Sequence, residues 1–375
     1  MKLLVTDPIA DAGIDLLRES GHEVETSYDL AGEELLAAVE GVHALIVRSG
    51  TDVTRDVIEA ADDLVIVGRA GIGVDNIDID AATDNGVIVA NAPEGNVRAA
   101  AEHTVGMAFA TARSIPQAHE RLSGGEWAKG EFLGSEITDK TLGIVGLGRV
   151  GQEVAKRLGN LGMELIAFDP YISTERADQL GAELVPDLAA CLDRADFLTI
   201  HTPLTDETAN MIAEEELAKL EGGYVVNCAR GGVVDETALA EAVEDVIVTP
   251  HLGASTEAAQ ENVAVETARQ VVAAFDGEPV TNAVNAPSID ESTYRQVEPY
   301  VNLADTAGKI AVQLFDDRLE RVEITYAGDI AAQDVDLVTA SALKGVFEPL
   351  EWQVNAVNAP RIAEQRGIDV VETKS

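Results

Sequence analysis

Aromatic residues make up only 4% of this 375-residue chain, so its core cannot rest on stacked rings. Ala, Val, Leu and Ile must fill it, within an apolar content of 46%, and that composition suits parallel α/β architecture, whose strands are buried on both faces. Cysteine is almost absent. Cys191 and Cys228 are too few for a disulfide framework and point to a reducing compartment. No apolar run approaches the ~20 residues of a membrane span, and Asp7 and Pro8 cut short the opening "MKLLVTDPIA" before it can read as a secretory signal. The expectation is a cytoplasmic protein with no membrane partner.

Basic residues are also in short supply, 26 Lys and Arg against 67 Asp and Glu, a net charge of −41. Such a surface is not drawn to nucleic acid or to anionic lipid. The acids form no long block of the kind that marks a disordered tail, the longest run being Glu214–Glu216. Lysine is scarcer than arginine. We read the excess as that of a protein from a high-salt cytoplasm, where salt screens self-repulsion over a few ångströms, in preference to a merely acidic protein.

The length exceeds one ordinary domain. Short apolar runs alternate with helical patterns from the start: "LLVTD" (3–7), "ALIVR" (44–48), "LVIVGRAG" (64–71) and "VIVANAP" (87–93) read as strands, with helices over 10–20, 32–39 and 54–61. This is βαβ layout around a mostly parallel sheet. A long helix is expected over about 98–122, ending in the Gly-rich turn "SGGEW" (123–127). A second alternating series has strands at "LGIVG" (142–146), "ELIAFD" (164–169), "FLTIHT" (197–202), "YVVNCA" (224–229) and "VIVTP" (246–250). Its helices are expected near 149–160, 175–180, 208–220, 235–244 and 256–275. After residue 290 come a helix (293–315), a single strand "RVEITYAG" (321–328) and a helix (333–348). That last segment shows no closing strand and reads as an incomplete domain.

The most informative stretch is "LGIVGLGRVGQEVAKRLGNLGMELIAFDP" (142–170). Gly146, Gly148 and Gly151 follow a strand and open a helix in the G-x-G-x-x-G spacing. The first permits a tight turn, the second lets the backbone approach a pyrophosphate and the third allows close helix–sheet packing. The helix N-terminus then offers free N–H groups to phosphate. Asp169 ends the next strand, 18 residues beyond Gly151, where an acid hydrogen-bonds the adenosine ribose and repels a 2′-phosphate. NAD is therefore expected over NADP, against the blander possibility of three packing glycines and a surface aspartate.

Hydride transfer involving a 2-hydroxy acid needs a guanidinium for the carboxylate, an imidazole for the hydroxyl proton and a carboxylate to orient that imidazole. Open α/β sheets place such groups at the carboxyl ends of strands. Arg230 follows "YVVNCA" and His251 follows "VIVTP", so both stand where chemistry is expected. His103 falls inside a helical pattern as packing or a cap, His201 ends a strand beside the cofactor with no evident acid, and His22, His43 and His119 read as surface residues. No metal site is indicated.

Several stretches together resemble the D-2-hydroxyacid dehydrogenase family, in its long-chain branch. They are "VRSGT" (47–51), "VGRAGIGVDNID" (67–78), "NAPEGN" (91–96), "AEHTVGMAFA" (101–110), "GIVGLGRVGQEVAKRL" (143–158), "HTPLT" (201–205), "NCARGGVVDE" (227–236) and "TPHLGAST" (249–256). The resemblance covers nearly everything up to about residue 285. It implies two Rossmann-like, doubly wound parallel-sheet domains, a flavodoxin-like substrate domain (1–97 and 280–292) and a dinucleotide-binding domain (98–279), followed by a partial α+β intervening domain (293–375). It implies NAD-dependent oxidation of a phosphorylated 2-hydroxy acid, D-3-phosphoglycerate, at the first step of serine biosynthesis, by a homodimer or homotetramer.

By the same resemblance Arg230 would bind the substrate carboxylate and His251 would be the acid/base. Gly146, Gly148, Arg149, Val150, Gly151, Asp169, Pro203, Thr208, Cys228, Ala229 and the backbone of His251, Leu252, Gly253 and Ala254 would line NAD. Arg48, Ser49, Gly71 and Asn96 would face the substrate, and Arg48 and Arg69 would supply the local positive charge that a phosphorylated ligand needs.

The chain departs from the family between the arginine and the histidine. Members carry there a further strand of the "ALDVF" kind and a loop with "EP", whose glutamate pairs with the catalytic histidine. Here "ETALAEAVED" runs straight into "VIVTPHL". Asp235, Glu236, Glu241, Glu244, Asp245, Glu257 and Glu261 are the nearby carboxylates, and nothing in the sequence aims one of them at the imidazole. "VIVTP" is expected either to pair where the missing strand would have been or to keep its family place on a stretched connector. Nothing in these residues supplies the serine-binding regulatory domain of long-chain members, so feedback by serine is not assumed. The expectation is an intact NAD-binding fold with weak or no turnover. Alternatives are a non-catalytic NAD-binding module of the corepressor kind, and a dehydrogenase of another acid such as glyoxylate or lactate.

Overall fold

The computed structural model describes all residues except 221, 243–245, 290, 315–317 and 351–352, together with the side chains of 291 and 292. It divides into two compact units, residues 1–95 with 260–375, and residues 96–259.

In the first unit β1 (Lys2–Val5), α1 (Asp11–Glu19), β2 (Glu23–Thr26), α2 (Gly32–Ala38), β3 (Ala44–Val47), α3 (Arg55–Ala60), β4 (Ile66–Arg69), α4 (Ile79–Asp84) and β5 (Ile88–Asn91) alternate strictly. The five strands form one parallel sheet in the order β2-β1-β3-β4-β5, the flavodoxin-like order. Continuous apolar runs such as Ala44–Val47, buried throughout, are what a sheet covered on both faces requires. Leu45, Val47, Val67 and Val89 pack on one face; Leu3, Val5, Ile46 and Ile66 pack on the other against Ala268 and Val271. Strand β2 is missed by the sequence reading because "EVET" lies half in water at the sheet edge and carries no apolar run. His22 and His43, expected on the surface, are half-buried, His22 standing edge-on to Phe275 at 4.9 Å.

The second unit begins with α5 (Val97–Ala112) and α6 (Ile115–Ser123). These replace the single helix expected over 98–122, because Ser114 adopts a left-handed φ of 46° and breaks the run. Then come β6 (Thr141–Val145), α7 (Arg149–Asn160), β7 (Glu164–Phe168), α8 (Thr174–Gln179), β8 (Ala182–Leu184), α9 (Leu188–Leu192), β9 (Phe197–Ile200), α10 (Glu214–Lys219), β10 (Tyr224–Asn227) and α11 (Glu236–Ala242). Their sheet is parallel in the order β10-β9-β6-β7-β8, the 3-2-1-4-5 arrangement of a dinucleotide-binding fold. Helix α10 is shorter than expected because residues 206–210 turn instead, with Asn210 at φ 52°. A larger correction concerns "VIVTP": residues 246–249 form no strand, Val246 is 45% and Val248 83% exposed, and β10 is the edge of its sheet. The last two residues expected in the preceding helix, 243 and 244, lie outside the described residues.

A 3₁₀ turn (Leu252–Ala254) leads into α12 (Glu257–Asp276). Beyond it α13 (Glu291–Gln313), β11 (Arg321–Tyr326), α14 (Asp336–Phe347), α15 (Ala359–Gln365) and β12 (Asp369–Lys374) make a small α+β module. The expectation of an unpaired single strand there is corrected: β12 runs parallel to β11 over six pairs, Arg321 with Asp369 through Tyr326 with Lys374. Alternating burial along "RVEITY" is the mark of a strand with one wet face, and "DVVETK" is too polar to announce itself. Arg361 ties this module to α4 through Asp80, at 2.7 Å, and Asp84, at 2.6 Å. Among the described residues no helix is long and apolar enough to cross a membrane.

Candidate active site

The Gly-rich turn is built from its glycines outward. Buried β6 delivers the chain to Gly146, whose φ of +89° suits only glycine without strain. Gly151 sits in the first turn of α7, where a Cβ would run into the Gly146 carbonyl oxygen, so helix and turn touch. Gly148 is different. Its φ of −69° is open to any residue, and a Cβ there would meet nothing within 4 Å. Neither backbone nor packing asks for glycine at 148, which leaves that space for a ligand lying against the chain. The amides of Arg149, Val150 and Gly151 open α7 without intrahelical partners, at the positive end of its dipole. Arg149 is exposed beside them and Val150 half-buried.

Asp169 leaves the end of β7 and turns back to this loop. Its Oδ2 accepts from the Leu147 amide at 2.7 Å and its Oδ1 from the Tyr171 amide at 2.8 Å, which fixes the carboxylate beside the turn. Each oxygen keeps a lone pair for a ribose hydroxyl. Gln152, which the sequence reading passed over, donates to the Leu147 carbonyl at 3.0 Å and accepts from Arg176 at 2.6 Å. Its position one residue past the third glycine is the signal that could have found it. Beneath the turn the His201 ring lies 3.6 Å from where a Gly151 Cβ would stand. Its Nε2 is 2.9 Å from the Thr199 hydroxyl, and burial pushes the imidazole down to about 4, so it is neutral at ordinary pH. Pro203 is exposed and its carbonyl accepts from the Thr208 hydroxyl at 2.6 Å, closing the next loop. The open approach over Gly148, the free helix amides and the fixed Asp169 suit a dinucleotide.

The other half of the site hangs on loops. From β10 the chain passes Cys228, whose thiol burial pushes up while the Thr104 hydroxyl opposes. Asn227 holds the following bend: its Oδ1 accepts from the Ala229 amide at 3.0 Å and its Nδ2 donates to the Arg230 carbonyl at 2.8 Å. Half-buried Arg230 donates to the Ala229 carbonyl at 2.9 Å. His251 is exposed with φ 54° and ψ 52°, a left-handed conformation that costs a non-glycine residue energy and is seen more often at functional sites. Leu252 is exposed, Ala254 half-buried, and Gly253 lies against Ala100 of α5 and the Cys228 carbonyl, its Cβ position 3.7 and 4.0 Å away. Cys228 and the 251–254 turn are thus brought together. His103, expected to be packing or a cap, is half-buried on α5, and its Nε2 is 3.3 Å from the Thr249 hydroxyl.

Among the carboxylates of this region, Asp235 has another post. Its Oδ1 accepts from the amides of Thr237 and Ala238, at 2.9 and 3.0 Å, as the cap of α11. Glu236, Glu241, Glu257 and Glu261 are exposed. Glu244 and Asp245 lie outside the described residues.

In the first unit Arg48, Ser49 and Gly71 lie at the carboxyl ends of the neighbouring strands β3 and β4. Buried Asp7 shapes the loop after β3, its Oδ2 accepting from the amides of Arg48 at 2.6 Å and Thr51 at 3.2 Å. Gly71 leaves room for the Arg69 guanidinium, which a Cβ would strike. Asn96 belongs to the second unit. It is 9% exposed at the start of α5, and its Oδ1 accepts no hydrogen bond among the described residues, as fits an acceptor held for a ligand.

Residues 105–249 match the D-isomer specific 2-hydroxyacid dehydrogenase NAD-binding domain family, and residues 296–375 match the D-3-phosphoglycerate dehydrogenase intervening domain family. The D-3-phosphoglycerate dehydrogenase of Methanocaldococcus jannaschii is 44% identical over 403 positions, which span 100% of this chain and 77% of that protein. The protein of the same name from Archaeoglobus fulgidus is 42% identical over 403 positions, 100% of this chain and 76% of its own. Both alignments are longer than the 375 residues they cover here, so these relatives carry internal residues for which this chain has no counterpart. Among solved structures, the TT0316 protein of Thermus thermophilus superposes with a TM-score of 0.70 at 30% identity over 76% of this chain and 100% of its own. The NAD+-bound 3-phosphoglycerate dehydrogenase of Entamoeba histolytica superposes with a TM-score of 0.64 at 29% identity, over 77% and 99%.

Proposed function

The chain belongs to the D-isomer specific 2-hydroxyacid dehydrogenase family, and from that premise we propose that it is an NAD-dependent phosphoglycerate dehydrogenase of serine biosynthesis whose turnover is reduced. The observation that carries the cofactor half is the open space over Gly148 at the head of α7 beside a fixed Asp169. The helix amides and Arg149 receive the pyrophosphate, and Asp169 accepts from the adenosine ribose. NAD supplies the hydride acceptor.

Arg230 grips the substrate carboxylate with its planar fork of donors. His251 takes the proton from the C2 hydroxyl as the C2 hydride departs, so D-3-phosphoglycerate becomes 3-phosphohydroxypyruvate and the imidazole carries one proton away. Arg48, Ser49, Gly71 and Asn96 serve the substrate, with Arg48 and Arg69 offsetting the repulsion that a −41 chain exerts on a phosphate.

Reduced turnover follows from the segment between arginine and histidine. The family's strand and its glutamate are missing from the sequence, and residues 246–249, which lead to His251, are not held by a sheet. Misplacing a catalytic group by about 1 Å costs on the order of 100-fold in rate. The working form is a homodimer or homotetramer in a salt-rich cytoplasm.

The test is a panel assay in molar potassium chloride, with NADH or NADPH and with phosphohydroxypyruvate, glyoxylate or pyruvate as acceptor. Tighter binding of NADH than of NADPH, with slow oxidation fastest on phosphohydroxypyruvate, is the expected result. Preference for an unphosphorylated acid would overturn the substrate assignment. NADH binding without oxidation of any member would favour a binding module.

A further inference from the structure

The loop that carries His251 has lost its support in the sheet, yet it is not unsupported. Ala100, His103 and Thr104 stand at i, i+3 and i+4 on α5 and so share one face of that helix. Each meets a different piece of the site. Thr104 lies beside the Cys228 thiol at the exit of β10 and anchors itself by donating to the Ala100 carbonyl at 2.9 Å. Ala100 lies under Gly253. His103 reaches Thr249, two residues before the histidine, with 3.3 Å between Nε2 and the hydroxyl oxygen. Helix α5 is 16 residues long, with Ala101, Thr104, Ala108 and Ala112 buried along it, so it gives the loop a fixed support.

We infer that His103 is a positioning residue: through Thr249 it clamps the 249–254 loop to α5 and holds the backbone that presents His251. This rests on the dehydrogenase reading above and adds a residue to it. The clamp replaces the orienting part of what the missing segment does in the family, and itself supplies no negative charge. It needs a hydrogen-bonding side chain at 103 and a hydroxyl at 249, and nothing else from either residue. His103 touches neither substrate nor cofactor in this account.

Thr249 is exposed, so replacing it does not disturb the core, and Thr249→Val removes only the hydroxyl while Thr249→Ser keeps it. The primary readout is amide hydrogen exchange of residues 249–254 in the full chain with saturating NADH, which does not depend on turnover. Loss of one net hydrogen bond predicts about 2- to 10-fold faster exchange in Thr249→Val and in His103→Leu. Thr249→Ser should exchange like the parent, and the double variant His103→Leu/Thr249→Val no faster than either single one. Where turnover is measurable, kcat should fall by a similar factor in the same variants while KM for NADH stays put.

Unchanged exchange in Thr249→Val, or fully additive effects in the double variant, would overturn the clamp. A chain that oxidises no NADH at all would refute the dehydrogenase reading and leave the exchange result standing by itself.

Discussion

Two parts of the second unit are built by different means. In one, Gly146, Gly148, Gly151 and Asp169 are fixed by regular structure: a buried strand before, a 12-residue helix after, and a carboxylate locked by two backbone amides. In the other, Arg230 and His251 stand on bends and loops beyond an edge strand, with the preceding valines in water. On the proposed reading, cofactor recognition rests on secondary structure and proton transfer on a loop whose residues 246–249 form no strand. That reading expects cofactor binding to be the sturdier of the two, because each recognition element is held by its own strand or helix.

The strongest way to break that contrast is Gly151→Val. A side chain there meets the Gly146 carbonyl oxygen, so the helix must leave the turn. NADH binding, followed by fluorescence, should weaken by more than about 100-fold, with a stability loss of about 2–3 kcal/mol from overpacking. Binding that survives would mean the turn is more pliable than the packing implies.

Acid sharpens the contrast next. His201, pushed from 6.5 down to about 4 beneath the turn, stays neutral in the folded protein while the unfolded chain takes up a proton below 6.5. Its contribution is complete above pH 6.5 and is lost as the pH falls toward 4, about 3 kcal/mol in all. Denaturant unfolding across that window should show a shallower pH slope in His201→Asn than in the parent. Equal slopes would refute the assignment.

Gly148→Ala gives the smallest and most selective effect. Its Cβ enters open space, so Tm should stay within about 1 °C while NADH affinity drops roughly 10-fold, the cost of about 1.4 kcal/mol at a crowded phosphate contact. A matching loss of Tm would mean the glycine serves the fold instead.

Much of the ordered part was legible beforehand. Buried parallel strands are mostly apolar, so β3, β4, β6 and β9 stand out from their neighbours, and the glycine spacing carries its own mechanism. Strands β2, β8 and β12 were not legible, because "EVET", "AEL" and "DVVETK" carry charges on their wet sides. The loop part misled in the opposite direction. "VIVT" has every local preference for a strand, but a strand needs a neighbour, and pairing is a property of the tertiary fold. His103 was legible only as a helical residue, since its partner lies 146 positions away.

The most direct test of the account titrates NADH into the chain in molar potassium chloride and, in the same sample, measures kcat for phosphohydroxypyruvate. Saturable binding at about 1 μM–1 mM NADH is expected, with turnover that is measurable but slow, a kcat near 0.1 s⁻¹, roughly 100-fold under the ~10 s⁻¹ typical of enzymes. A kcat of about 10 s⁻¹ or more would contradict it, and would mean that another carboxylate orients His251 as well as the missing one.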